Sequence, residues 1–221
     1  MTADSANAHI SGIRLHPIKA LDLQLSCFLV LLAFYCGTNI FSPIRFDREK
    51  IEVYAANGHI RVSGLYHYRN RFPLPAALSL GLPFPTDATH AVPSAYSVTE
   101  IASDGSAIGE IPTGEYQGSV VFRLFFLPSH EKWIRIDYLQ NVAVANGRYL
   151  LRTTRAWKRP LAEGEYVLHL DRAAELFASN YFLEKLPSRG ESRYSFTRTD
   201  FLPEEDWIFS WKSSAPLAAS R

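Results

Sequence analysis

Cysteine is missing from everything after residue 36. The sequence has two, Cys27 and Cys36, and both fall inside a hydrophobic N-terminal run. The long remainder can therefore hold neither a disulfide nor a thiolate metal site. No Asn-x-Ser/Thr acceptor occurs, which argues against N-glycosylation. Excess charge of either sign is also lacking: 23 Lys and Arg stand against 22 Asp and Glu, a formal net charge of +1. The basic residues are scattered, so the electrostatic footprint of a nucleic-acid-binding surface is absent. There is no Gly-x-Ser-x-Gly elbow, no P-loop, no Gly-x-Gly-x-x-Gly turn and no His-Glu-x-x-His pair. These absences leave no nucleophile, nucleotide or metallopeptidase motif and call for no cofactor.

What is present is apolar and aromatic. The 221 residues are 47% hydrophobic and 13% aromatic, with 20% charged, a composition that folds rather than stays disordered. Residues 1–20 form a polar tail. A hydrophobic segment over 21–43 follows, with the clean apolar core Leu25 to Cys36 between Lys19 and Arg45. About 20 apolar residues cross a bilayer. The positions after the core, Gly37, Thr38 and Asn39, make a poor cleavage site. The segment therefore reads as an uncleaved signal-anchor helix, in preference to a cleaved signal or a buried soluble helix. Basic residues flank it on both sides, and the preferred orientation leaves the short tail inside the cytoplasm. The expected address is the bacterial inner membrane, with the folded domain in the periplasm or outside the cell.

Residues 47–212 alternate like strands. Ile51, Val53 and Ala55 share one face, Asn57-Gly58 signals a hairpin, and Ile60, Val62, Tyr66 and Tyr68 share parity on the return. Ala77 to Leu82 and Tyr96 to Ile101 are further strands, and Asp104-Gly105 is a second hairpin signal. Val120 to Leu127 is nearly continuous apolar and reads as a central buried strand. Ile134, Ile136 and Tyr138 alternate, as do Tyr166, Leu168 and Leu170. Asn146-Gly147 is a third hairpin signal, with a strand expected over Tyr149 to Thr154. Tyr194 to Arg198 and Trp207 to Trp211 complete the set. About ten strands at this spacing predict an antiparallel β-sandwich, immunoglobulin-like or jelly-roll-like. One inserted helix is expected over Asp171 to Leu186, with Asp171 as N-cap and Pro187 as stop. Residues 213–221 read as a disordered tail.

Candidate chemistry is sparse. His59 and His67 sit about 26 Å apart on one strand pattern, and His90, His130 and His169 stand alone. All five read as surface or turn histidines. Glu110 and Glu115 flank Pro112-Thr113-Gly114 and could converge, while Glu204-Glu205-Asp206 reads as a solvated turn. Trp207, Phe209 and Trp211 share parity, which predicts a core face. Trp157, with Lys158 and Arg159 beside it in a cationic loop, is the best exposed aromatic candidate for a binding surface, and Trp133 is a further one.

Tyr66, Tyr68, Asn70, Phe84 and Pro85 form an early "Tyr-x-Tyr-x-Asn … Phe-Pro" strand pair. It resembles uncharacterised bacterial envelope domains of unknown function and, more distantly, the vault/inter-alpha-trypsin type of sandwich domain. The resemblance implies a sandwich in the envelope and carries no active residues. The expected function is that of a membrane-anchored accessory module, binding or scaffolding another membrane or envelope protein. A small-ligand or carbohydrate module with an aromatic groove, and a hydrolase with dispersed carboxylates, are the alternatives.

Overall fold

The computed structural model describes residues 43–56, 58–188 and 190–213. The polar tail, the hydrophobic segment up to residue 42, Asn57 of the first hairpin signal and the residues after 213 lie outside the described residues. Among the described residues no helix is long and apolar enough to cross a membrane.

The chain runs β1 (Ile44–Ala56), β2 (His59–Asn70), β3 (Ala76–Pro83), β4 (Ala95–Ile101), β5 (Ala107–Glu110), β6 (Thr113–Tyr116) and β7 (Ser119–Phe126). It continues with β8 (Glu131–Asn141), β9 (Asn146–Tyr149), a 3-10 helix (Leu151–Trp157), β10 (Leu161–Leu170), β11 (Ala174–Ser179), β12 (Glu184–Leu186), β13 (Ser192–Phe201) and β14 (Trp207–Ser213). An eight-stranded sheet has the order β12-β13-β10-β1-β2-β8-β4-β5, and two three-stranded sheets are β11-β14-β9 and β3-β7-β6. The fold is mainly β, and one core is lined by all three sheets. Ile51, Val53 and Ile134 enter it from the first, Trp207, Phe209 and Trp211 from the second, and Phe122, Leu124 and Phe126 from the third.

Alternation decides which residues face inward. Ile60, Val62, Tyr66 and Tyr68 are buried on β2, as are Ile134, Ile136 and Tyr138 on β8. β1 changes phase part-way along. Its register against β2 shifts between Phe46 and Arg48, and a bulge of this kind adds one residue to one strand. Ile44 and Phe46 therefore share the inner face with Glu49, Ile51, Val53 and Ala55. Asp104-Gly105 forms the turn between β4 and β5, as its residues predict.

Four expectations are corrected. The sheet is mixed, because β1 pairs with β10 in parallel, from Arg48↔Glu163 to Ala55↔Leu170. The chain between these strands is long enough to return in either direction, and β10 buries Val167 and His169 as well as Tyr166, Leu168 and Leu170. Burial on both faces is characteristic of parallel pairing. Secondly, Asp171 to Leu186 is not a helix. The Ala174 N–H closes a single turn on the Asp171 carbonyl at 2.8 Å, after which β11 pairs with β14 and β12 with β13. Leu176 stands opposite Trp211, so cross-strand packing on an aromatic strand outweighs helical spacing.

Thirdly, Asn146-Gly147 lies within β9 rather than in a turn, paired to Phe209 and Ser210. The expected strand after it is the 3-10 helix, with Leu151 and Thr154 buried three residues apart. Lastly, Val120 to Leu127 is central only in the small β3-β7-β6 sheet. It buries Val120, Phe122, Leu124 and Phe126, and leaves Phe125 and Leu127 exposed.

Candidate binding cleft

At the far end of β1 from Ile44, five strands set one row of side chains across the outer face of the large sheet. The registers pair Leu139 with Arg61, Arg61 with Tyr54, Tyr54 with His169, and His169 with Arg193. Tyr54 is thus flanked from both neighbouring strands. The Arg61 guanidinium lies 4.3 Å from the Tyr54 ring centroid, and the His169 ring stacks on it at 4.2 Å and 15°. Beside this stack opens a shallow cleft of about 170 Å³, with Ala55, Ala56, Leu139 and Leu170 as apolar lining and Arg61, His59, Asp171 and Glu191 as polar lining.

The electrostatics of the cleft are unbalanced. Tyr54 donates to Glu52 at 2.7 Å, and burial together with that carboxylate pushes its hydroxyl up to about 12. Glu52 is held low despite partial burial, because it accepts from Tyr54 and lies beside Lys50. Glu191 is engaged, 3.0 Å from His169 Nδ1 and 3.7 Å from Arg193 Nε. Arg61 and Asp171 form no ion pair among the described residues, and both are exposed. His169 is only 8% exposed, and its Nε2 is buried with no hydrogen-bond partner among the described residues. A buried polar atom left unmatched costs roughly 1–3 kcal/mol. The cleft therefore offers an unpaired cation and an unpaired carboxylate beside an aromatic wall.

Three other polar clusters are built around Glu49, His67 and Asp206, and buried atoms without a hydrogen-bond partner among the described residues also occur outside the cleft, at His90 Nε2 and Gln140 Oε1. Glu49 is buried beneath β1, where Tyr166 donates to it and the hydroxyls of Tyr66 and Tyr149 bond each other at 2.8 Å. Burial pushes its carboxyl up to about 7, with the Tyr166 hydrogen bond partly offsetting. Room for these rings comes from two glycines: a Cβ on Gly64 would lie 2.5 Å from the Tyr66 hydroxyl, and one on Gly164 2.6 Å from that of Tyr166. His67 is held by Asp47 at 2.6 Å and Glu131 at 3.3 Å, against the ring of Trp133 at 4.4 Å. Asp206 accepts from Arg148 at 2.6 and 3.1 Å and from the Arg152 N–H at 3.1 Å, which fastens the 3-10 helix to β9 and β14. Among the described residues no three His, Cys, Asp or Glu are grouped to hold a metal.

The residues singled out from sequence are not brought together. Trp157 is half-buried, with its ring 5.6 Å from Phe46 and 5.7 Å from Tyr68 on the inner face. Trp133 stacks on His67 on the outer face, since His67 and Tyr68 are adjacent on β2 and point to opposite sides. Lys158 and Arg159 are exposed, and Lys158 caps the 3-10 helix with φ 55°. The surface-or-turn reading of the histidines fails for His67, His90 and His169, all buried. Glu110 and Glu115 are both exposed, the latter 3.2 Å from the Tyr96 hydroxyl. Glu204 and Glu205 face solvent, but Asp206 does not.

No family model and no curated protein matches the chain. Among solved structures, a candidate nutrient-binding protein of Legionella pneumophila is similar, with a TM-score of 0.58 and 14% identity over 76% of this chain and 67% of that one. An M1 zinc metallopeptidase of Deinococcus radiodurans gives a TM-score of 0.47 at 12% identity. This chain spans 42% of the peptidase, against 76% of its own length. Likeness at these identities is one of fold alone.

Sequence reasoning missed Arg61, Tyr54, Asp171 and His169 as a group. Each is unremarkable in its own strand, and only the parallel β1/β10 register sets Tyr54 beside His169. The one available signal was parity: Tyr54 and His169 both fall on faces opposite the apolar ones.

Proposed function

We propose that the chain is a membrane-anchored binding module of the bacterial envelope, with this cleft as its ligand site and its folded part outside the cytoplasm. The observation that carries the binding role is a cleft that presents Arg61 and Asp171, neither in an ion pair among the described residues, beside the stacked rings of Tyr54 and His169. The hydrophobic segment over 21–43, about the length that a bilayer requires, supports the anchor. The cleft opens about 33 Å along β1 from Ile44. Two three-stranded sheets lining the core of an eight-stranded one support a β-sandwich. The fold shared with the candidate nutrient-binding protein of L. pneumophila is in keeping with a binding role.

Two measurements test it. Protease added to intact spheroplasts should digest the folded part; digestion only after the inner membrane is opened overturns the envelope location. Amide spectra of the full chain in micelles, titrated with amino acids, organic acids, amines and sugars, should shift around Tyr54, Arg61 and His169. Shifts gathered anywhere else would remove the cleft as the ligand site.

A second reading, docking of another envelope protein, is favoured by one exposed apolar cluster. Leu74, Phe125 and Leu127 are 44%, 59% and 53% exposed. The carbonyls of Leu74 and Leu127 both accept from Asn70 Nδ2, which sets them side by side. A photo-crosslinker at Phe125 should then give one discrete adduct in membranes, lost in Leu127→Glu.

A further inference from the structure

We infer that the cleft takes a small zwitterion, with the ligand's carboxylate on Arg61 and its ammonium group on Asp171. This rests on the cleft being the ligand site and adds the chemical class.

Charge complementarity carries the step. Arg61 touches only the Tyr54 ring among the described residues, so its planar donor fork remains available to a carboxylate. Stacking on Tyr54 limits the freedom of the guanidinium before any ligand arrives, which lowers the ordering cost of binding. The Asp171 carboxylate has no partner among the described residues and lies in the same cleft. Glu191, although tied to His169 and Arg193, adds a second negative group to that side.

A ligand carrying only negative charge would meet Asp171 and Glu191. One carrying only positive charge would meet Arg61. A molecule bearing both signs avoids each conflict, and discrimination by unpaired or opposed charge is an efficient source of specificity. The volume, about 170 Å³, is below the roughly 300–1,000 Å³ of sites for drug-sized molecules, which suits a compact ligand. Ala56 and Leu139 offer contact to a short aliphatic group.

The test titrates the full chain in detergent micelles with L-alanine, with propionate, which lacks the ammonium group, and with ethylamine, which lacks the carboxylate. Amide shifts at Tyr54, His169 and Asp171 report binding. L-alanine should bind at least tenfold more tightly than either single-charge compound. Arg61→Ala and Asp171→Asn should each weaken L-alanine at least tenfold. Both side chains are exposed, and an unchanged far-ultraviolet spectrum confirms that the variants are folded. If propionate or ethylamine binds as well as L-alanine, the zwitterion assignment falls while the cleft stands. If none of the three shifts those amides but another compound class does, the assignment falls in the same way. If nothing shifts them, the cleft reading itself falls.

Discussion

Glu49 has the clearest consequence among single residues. Its carboxyl is buried in the core and pushed up to about 7 from 4.5. The folded state therefore binds its proton more tightly than the unfolded chain does. Between about pH 4.5 and 7 the native state holds more protons, so stability falls as the pH rises and levels off above 7. The loss is on the order of 3 kcal/mol. Urea unfolding at pH 5 and pH 8 should show that fall in the wild type and a much smaller one in Glu49→Gln. Beside it, Gly164→Ala would drive a methyl into the Tyr166 hydroxyl, and overpacking of this kind costs about 1–3 kcal/mol. A melting temperature unchanged by that substitution would show that the ring moves aside freely. None of this was legible in the sequence. Ile51, Val53 and Ala55 declared their face by alternation, but the bulge before Arg48 hides the fact that Glu49 shares it.

Elements show where local pattern is overruled. The apolar inner faces of Ile51 to Ala55, of Ile60 to Tyr68 and of β14 follow from parity, because the apolar residues there alternate. The stretch from Asp171 to Leu186 carries apolar residues at near-helical spacing, and nothing local reveals that Leu176 has Trp211 as its partner. The 3-10 helix is likewise held by something distant. Asp206, 5% exposed, takes both a guanidinium and the Arg152 N–H. Asp206→Ala should destabilise the domain by roughly 1–3 kcal/mol, toward the low end because Arg148 and Arg152 can turn to solvent. Hydrogen exchange should accelerate first at the amide of Arg152. Exchange that rises evenly across all strands would instead mean that Asp206 fastens no particular element.

For the whole molecule, strand content and the existence of a core were readable, while strand order was not. Alternation tells a strand which face is buried and carries no information about its neighbour. The cleft suffers the same blindness, since its residues come from β1, β2, β8 and the stretches at the ends of β10 and β13. Its position at one end of the sheet makes a further expectation. Tyr54→Ala should abolish ligand-induced amide shifts with little loss of stability, because Tyr54 is half-buried on the outer face. A large fall in the urea midpoint would show that the ring is structural rather than recognitional.

The parallel pairing of β1 and β10 also bears on the order in which the chain can mature. As the polypeptide leaves the ribosome, β1 can close on β2 and β2 on β8, but the other edge of β1 stays open until residues 161–170 have been made. Late, non-local closure slows folding, and an unpaired edge invites pairing with other chains. A chain truncated before Leu161 should therefore be sticky and protease-sensitive, and the full chain should not. Pulse proteolysis of a series of purified truncations would locate the change. The first strand among the described residues is among the last to be sealed, so the domain depends on a holding period in which its central strand waits for a partner more than a hundred residues away.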